Sequence, residues 1–127
     1  MLVVEDNPVN AMVVQAMLSP TGLTLLSAGD GQQALNVVRG GAALDAILMD
    51  IQMPIMDGYD ATRAIRAWEA EQPGARHCPI IALTADAFAE DRQRCLAEGM
   101  DDFLTKPIAQ PALLATLKRW LAPQVPN

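Results

Sequence analysis

The sequence predicts an α/β fold, a doubly wound parallel sheet of five strands with five helices. Short apolar runs of branched residues alternate with longer amphipathic segments five times along the chain. Strands that alternate with helices imply parallel pairing and right-handed crossovers. Several runs lack polar alternation, which is typical of strands buried on both faces. The length of 127 residues fits a single domain, predicted over residues 1–121 with a frayed tail over 122–127.

The strands are predicted at the five apolar runs. These are residues 2–4, 23–26, 46–49, 80–83 and 103–104. The first helix begins at Asn7-Pro8, with asparagine as N-cap and proline at the first helical position. It ends near Ser19-Pro20. Its apolar positions fall on one face, as in a helix that packs on a sheet; they are Val9, Met12, Val13, Ala16 and Met17.

The remaining helices are predicted over about residues 31–39, 57–71, 87–98 and 110–121. Gly40-Gly41 ends the second helix and Gly99 is a natural C′ residue for the fourth. The positions expected to face the core are Ala34, Leu35 and Val38, then Ala61, Ile65 and Trp68, then Leu113, Leu114, Leu117 and Leu121.

Composition excludes several functions. The net charge of −6 argues against a nucleic-acid surface, which needs clustered lysine and arginine. Cys78 and Cys95 lack zinc-site spacing, and we interpret them as reduced thiols of a cytoplasmic protein. No apolar run approaches the ~20 residues that span a bilayer. The sequence shows no basic region followed by an apolar stretch, so we expect no signal peptide. We therefore expect no direct membrane contact.

Polar residues follow four of the predicted strands. Glu5 and Asp6 follow the first strand, Asp50 the third, Thr84 the fourth, and Lys106 the fifth. In open α/β sheets, ligands bind outside the carboxyl ends of the strands. Three carboxylates, a hydroxyl and an ammonium are therefore expected to converge at one edge of the sheet.

Three crowded carboxylates repel one another unless a cation neutralises them. Oxygen ligands without histidine or cysteine suit a hard cation, and Mg²⁺ fits best, with Mn²⁺ as an alternative. A metal beside a free carboxylate, a lysine and a threonine suits phosphoryl transfer, because these groups offset charge on the transferred oxygens. Aspartate can serve as the covalent acceptor.

Each residue taken singly has an ordinary explanation. Asp6 alone suits a solvated turn, Asp57-Gly58 a helix start, and Lys106-Pro107 a loop. Thr84 could cap the fourth helix. The joint placement at four strand ends carries the argument.

The chain resembles the receiver domains of two-component response regulators over essentially its whole length. The matching segments are Leu2-Val3-Val4-Glu5-Asp6-Asn7, Met49-Asp50-Ile51-Gln52-Met53-Pro54-Ile55-Met56-Asp57-Gly58, Ile81-Ala82-Leu83-Thr84-Ala85 and Phe103-Leu104-Thr105-Lys106-Pro107. The resemblance implies a flavodoxin-like sheet with strand order 2-1-3-4-5. It also implies that Asp50 is the phosphoacceptor.

The resemblance implies further roles. Asp6 would ligate Mg²⁺ directly, Glu5 through water, and Gln52 through its backbone carbonyl, beside Asp50. Thr84 and Lys106 would bind phosphoryl oxygens.

The Lys106–Pro107 peptide would be cis. Phe103 would occupy the aromatic switch position coupled to Thr84, although it also suits a core aromatic. Gln52 and Asp86 would modulate hydrolysis of the acyl phosphate.

The Asn7-Pro8-Val9-Asn10 start and the 53–58 stretch look most like receivers of hybrid sensor histidine kinases. The implied partners are a histidine kinase dimerisation and phosphoacceptor domain and a histidine phosphotransfer domain. The domain itself would be a self-phosphorylating switch rather than a turnover enzyme, in the cytoplasmic part of its parent kinase.

Alternative functions are a stand-alone single-domain regulator, a pseudo-receiver acting as a binding platform, and a haloacid-dehalogenase-like phosphatase. The phosphatase is disfavoured because Gln52 stands where it needs an acid and the loops are too short for a cap.

Overall fold

Five parallel strands form one sheet in the order β2-β1-β3-β4-β5, as predicted. The computed structural model describes residues 1–41, 44–53, 55–72, 77–85 and 89–121; the side chains of 89–91 and 121 fall outside the description. The elements are β1 (Leu2–Val4), α1 (Pro8–Leu18), a 3₁₀ turn (Ser19–Thr21), β2 (Leu26–Ala28), α2 (Gly31–Arg39), β3 (Ile47–Asp50), α3 (Gly58–Glu71), β4 (Ile80–Thr84), α4 (Ala89–Ala97), β5 (Asp102–Thr105) and α5 (Gln110–Leu121).

The core lies in two layers, one on each face of the sheet. One layer joins β1, β3 and β4 to α2, α3 and α4 through residues such as Met49, Ile65 and Cys95. The other joins the opposite strand faces to α1 and α5 through residues such as Leu48 and Leu113. Because both faces are covered, every residue of β1, β3 and β4 is buried.

Most of the predicted helix faces are confirmed. Ala34, Leu35 and Val38 of α2 are buried, as are Ala61 and Ile65 of α3 and Leu113 and Leu117 of α5. Trp68 and Leu114 are partly buried against the core. Leu121 lies outside the described side chains, and the predicted start of the fourth helix near residue 87 and the tail 122–127 lie outside the described residues.

The second strand was predicted over residues 23–26, but it begins three residues later, at Leu26. Pairing with β1 begins at Leu26, opposite Leu2, and extends to Ala28. Leu23 and Leu25 instead pack from the preceding loop against the α1 and α5 side of the core. Gly22 adopts a left-handed φ of 73° at the end of the 3₁₀ turn, which redirects the chain before the strand begins.

The prediction for the inward face of α1 was also wrong. Val14 and Leu18, spaced by four residues, are the buried positions. Val9 and Met12 are each 67% exposed, Val13 is 46% exposed, and Ala16 is exposed. Because α1 is apolar around most of its circumference, periodicity alone does not identify the side that packs.

Candidate functional site

The carboxyl ends of β1, β3, β4 and β5 bring the predicted polar residues together. Glu5 follows β1, Asp50 and Thr84 end β3 and β4, and Lys106 follows β5. Glu5, Asp50 and Thr84 are at most 8% exposed, whereas Asp6 is exposed. Four separated segments therefore build one polar site, because parallel strands end at the same edge of a sheet.

Lys106 brings a positive charge to the Asp50 carboxylate. Its Nζ atom lies 3.1 Å from Oδ1 of Asp50 and 3.2 Å from Oε2 of Glu5. Partial burial opposes the charge on the ammonium, but the hydrogen bond and charge of Asp50, together with Glu5, outweigh it and raise the pKa of Lys106. The lysine thus stays charged beside the Asp50 carboxylate.

Glu5 is held in an unfavourable environment for a carboxylate. Burial, and then the nearby charge of Asp50, raise the pKa of Glu5, although the backbone N–H of Asn7 donates to its Oε1 at 3.2 Å. Its buried Oε2 has no hydrogen-bond partner within the described residues, despite the Lys106 ammonium nearby. A buried oxygen in this state is suited to accept a cation or an ordered water.

The three acids form a set that could ligate a metal. One carboxylate oxygen from each of Glu5, Asp6 and Asp50 lies within 4.8 Å of the others. The Oε2 atom of Glu5 faces the Lys106 ammonium at 3.2 Å but has no hydrogen-bond partner among the described residues. This oxygen-only donor set fits a hard divalent cation such as Mg²⁺.

A cavity of about 160 Å³ opens beside Asp50. Its lining contains Thr84 and Lys106, which were predicted from the strand ends, and Gln52, which the resemblance implied. It also contains two residues that the sequence analysis missed, Tyr59 of α3 and Arg94 of α4. The lining residues are Asp50, Ile51, Gln52, Tyr59, Leu83, Thr84, Ala85, Arg94 and Lys106.

The signal for Arg94 was weak in the sequence. Arg94 lies in the last turn of α4, next to Cys95, which is buried in the core. The guanidinium carbon of Arg94 lies 4.2 Å from the centroid of the Tyr59 ring. Only the packing of α4 on α3 turns this arginine toward the end of β3.

The connection after β5 is fixed by the backbone. The Lys106–Pro107 peptide bond is cis, the geometry that the resemblance implied. The backbone N–H of Lys106 donates to the carbonyl oxygen of Thr84 at 2.7 Å. This hydrogen bond joins the segment after β5 to the end of β4.

The segment after β3 approaches the site closely. Asp57 caps α3 by accepting a hydrogen bond from the N–H of Asp60 at 2.8 Å. A Cβ atom on Gly58 would lie 2.4 Å from the Asp50 carbonyl oxygen. Glycine is therefore required where α3 begins against the backbone of Asp50.

Phe103 lies near the site without lining its cavity. It is partly buried against the core and opposite Ala82 in the β4–β5 register. The guanidinium of Arg92 lies 4.7 Å from its ring centroid. Asp86, predicted to act on hydrolysis, lies outside the described residues.

The family model for the response regulator receiver domain matches residues 1–118. The chain belongs to the response regulator receiver domain family. This receiver domain is 46% identical over 119 residues to the sensor protein GacS of Pseudomonas syringae pv. syringae, covering 94% of this chain and 13% of GacS. The chain thus spans about an eighth of that relative's length. No helix among the described residues is long and apolar enough to cross a membrane.

Two solved structures resemble this receiver domain closely. The receiver domain of the sensor histidine kinase PA1611 of Pseudomonas aeruginosa PAO1 is 47% identical, with a TM-score of 0.83 and 95% coverage of both chains; it holds a magnesium ion in its active site cleft. The receiver domain of Saccharomyces cerevisiae Ssk1, crystallised with the histidine phosphotransfer protein Ypd1, is 30% identical, with a TM-score of 0.89 and coverage of 98% of this chain and 90% of that one.

Proposed function

We propose that this receiver domain is a phosphorelay module in which Asp50 accepts a phosphoryl group from a phosphohistidine. The observation that carries the proposal is the buried Asp50 carboxylate, which lies 3.1 Å from the Lys106 ammonium and beside Glu5 and Asp6. A nucleophile, a cation and a set of metal ligands thus share one site. These are the parts that phosphoryl transfer to a carboxylate needs.

In the proposed step, a carboxylate oxygen of Asp50 attacks phosphorus. The new O–P bond forms as the P–N bond to the donor imidazole breaks, and the electron pair of that bond stays on nitrogen. Lys106 balances charge on one phosphoryl oxygen, and the hydroxyl of Thr84 donates to another. Transfer from Asp50 to the histidine of a phosphotransfer domain runs the same step in reverse.

Mg²⁺ would be held by Asp6 and Asp50, by the backbone carbonyl of Gln52, and by Glu5 through water; Mn²⁺ is an alternative. When bound, the ion supplies positive charge to the phosphoryl oxygens. The magnesium ion in the cleft of the PA1611 receiver, which is 47% identical to this chain, supports this assignment. Gln52 and Asp86 would set how fast the acyl phosphate hydrolyses.

Thr84 and Phe103 would form the switch within a domain of residues 1–121, followed by the tail 122–127. Thr84 lies two residues after Ala82, the register partner of Phe103, so the two side chains project from the same face of the sheet. Movement of Thr84 toward a phosphoryl group would free space for the Phe103 ring. The contacts of Thr84 and Lys106 with phosphate would supply the differential binding that shifts the two states.

The exposed apolar face of α1 is the surface best suited to a histidine-containing partner. Val9, Met12 and Val13 are exposed there, and Val13 lines a cavity of about 400 Å³ that also reaches Glu5 and Lys106. The partners would be a kinase dimerisation and phosphoacceptor domain and a histidine phosphotransfer domain. The Ssk1 receiver's complex with Ypd1 supports the second.

The similarity to GacS supports a place in a hybrid sensor histidine kinase, with a stand-alone single-domain regulator as the alternative. In either setting the domain would act in the cytoplasm as a self-phosphorylating switch rather than as a turnover enzyme. It would contact neither nucleic acid nor membrane.

Replacing the acceptor tests the proposal. Asp50→Asn should abolish labelling by acetyl phosphate with Mg²⁺, because the amide cannot form the acyl phosphate; intact-protein mass spectrometry measures the added phosphoryl group. Asp45→Asn is the matched control, because Asp45 precedes the other end of β3 and lies outside the site. Equal labelling of Asp50→Asn and the unaltered chain would reject the proposal.

A further inference from the structure

Arg94 places a second cation in the lining of the cavity that contains the proposed phosphoacceptor. It projects from α4 and lines the cavity that holds Asp50, Thr84 and Lys106. Its guanidinium lies over the ring of Tyr59, which is itself buried at 6% exposure. The ring contact fixes one face of the planar guanidinium, while its N–H donors lie around the edge.

The charge of Arg94 is not used by an ion pair among the described side chains. Other arginines of the protein are paired: Arg63 contacts Asp60 and Glu98, and Arg66 contacts Glu69 and Asp101. Arg94 makes the ring contact instead. A guanidinium that stacks on an aromatic ring at the edge of this cavity keeps its hydrogen-bonding capacity for a ligand.

The charge balance of the site shows what that ligand would be. The three carboxylates are offset by the Lys106 ammonium and the proposed Mg²⁺, so a donor phosphoryl group brings roughly 1.5 to 2 negative charges that these cations do not offset. We propose, building on the function proposed above, that Arg94 is a phosphoryl-binding residue. It binds oxygens of the donor's phosphoryl group from the α4 side as Asp50 attacks phosphorus, and Tyr59 positions it.

Acetyl phosphate, with Mg²⁺ present, is the phosphoryl donor in the test. Attack by Asp50 forms the new O–P bond, and the bond from phosphorus to the acetyl oxygen breaks as acetate leaves. Removing the charge with Arg94→Gln, or with Arg94→Met, which keeps an apolar stem over Tyr59, should slow labelling about three- to tenfold. That range lies between the effects of exposed and desolvated charge pairs. Arg94→Lys should restore most of the rate.

The matched control is Arg92→Gln, which removes the same charge and the same kind of ring contact from α4 at a residue that does not line the cavity.

Two readouts separate binding from a structural role. The labelling rate of Arg94→Gln should depend less on ionic strength than that of the unaltered protein, and its affinity for Mg²⁺ should not fall, because a repelling cation has been removed.

The outcomes distinguish the two proposals. If the unaltered protein is not labelled, the proposed function fails. If it is labelled and Arg94→Gln and Arg94→Met react as fast, only the role of Arg94 fails. An equal loss in Arg92→Gln would also overturn that role, because the effect would then come from α4 as a whole. Weaker Mg²⁺ binding in Arg94→Gln would overturn it too, because the substitution would then have disturbed the structure of the metal site.

Discussion

At the scale of single residues, Gly58 joins the fold to the site. A Cβ atom there would meet the carbonyl oxygen of Asp50 at 2.4 Å and the Cα of Ile51 at 2.8 Å, and both are backbone atoms of the strand end. The N–H of Gly58 also donates to the carbonyl of Ile51 at 2.9 Å. The start of α3 can therefore pack against the backbone of the proposed acceptor only because Gly58 has no Cβ atom.

Gly58→Ala should therefore lower both stability and reactivity. Overpacking of this kind costs about 1–3 kcal/mol in the free energy of unfolding, measured by urea denaturation. Labelling by acetyl phosphate should slow because the Asp50 carboxylate is displaced. Gly29→Ala is the control, since its Cβ would come no nearer than 3.5 Å to the Gln33 side chain. Similar stability of the two variants would contradict the argument.

At the scale of elements, the sequence predicted the site residues that follow strand ends. It did not predict the site residue whose position depends on how a helix is oriented. The convergence of Glu5, Asp50 and Lys106 follows from parallel topology alone. The direction of Arg94 depends on how α4 packs on α3, which no local pattern specifies. The prediction of the buried face of α1 was wrong for a related reason. The helix is apolar on several sides, and only its contact with the sheet determines that Val14 and Leu18 are buried.

The exposed side of α1 yields a prediction about partner choice. Met12→Glu should slow phosphoryl transfer from a phosphorylated histidine phosphotransfer domain about tenfold, because interface anchors are typically worth 1–2 kcal/mol or more. Labelling by acetyl phosphate should not change. Rapid-quench kinetics with both donors measures the two rates.

The control for this element is Leu96→Glu, which places the same charge on an exposed leucine of α4. That variant should accept phosphoryl groups from the protein donor at the normal rate. An equal loss in Leu96→Glu would place the docking surface elsewhere or make it non-specific.

At the scale of the whole molecule, the acidic site should couple stability to Mg²⁺. The clustered acids repel one another, and burial raises the pKa of Glu5, so the site without a cation works against folding. A ligand that binds only the folded state adds about 2.7 kcal/mol when its free concentration is 100-fold above its Kd. The Tm of the unaltered protein should rise by several degrees as Mg²⁺ is added.

Asp6→Asn should weaken the dependence of Tm on Mg²⁺, because it removes one repelling charge and one metal ligand. Its Tm without Mg²⁺ should match or exceed that of the unaltered protein, and its response to Mg²⁺ should be much smaller. Differential scanning calorimetry across a Mg²⁺ series, with Asp45→Asn as the control, measures both. Since a general ionic effect would stabilise all three proteins alike, parallel rises in Tm would show that the acids at the end of β1 and β3 do not bind the ion.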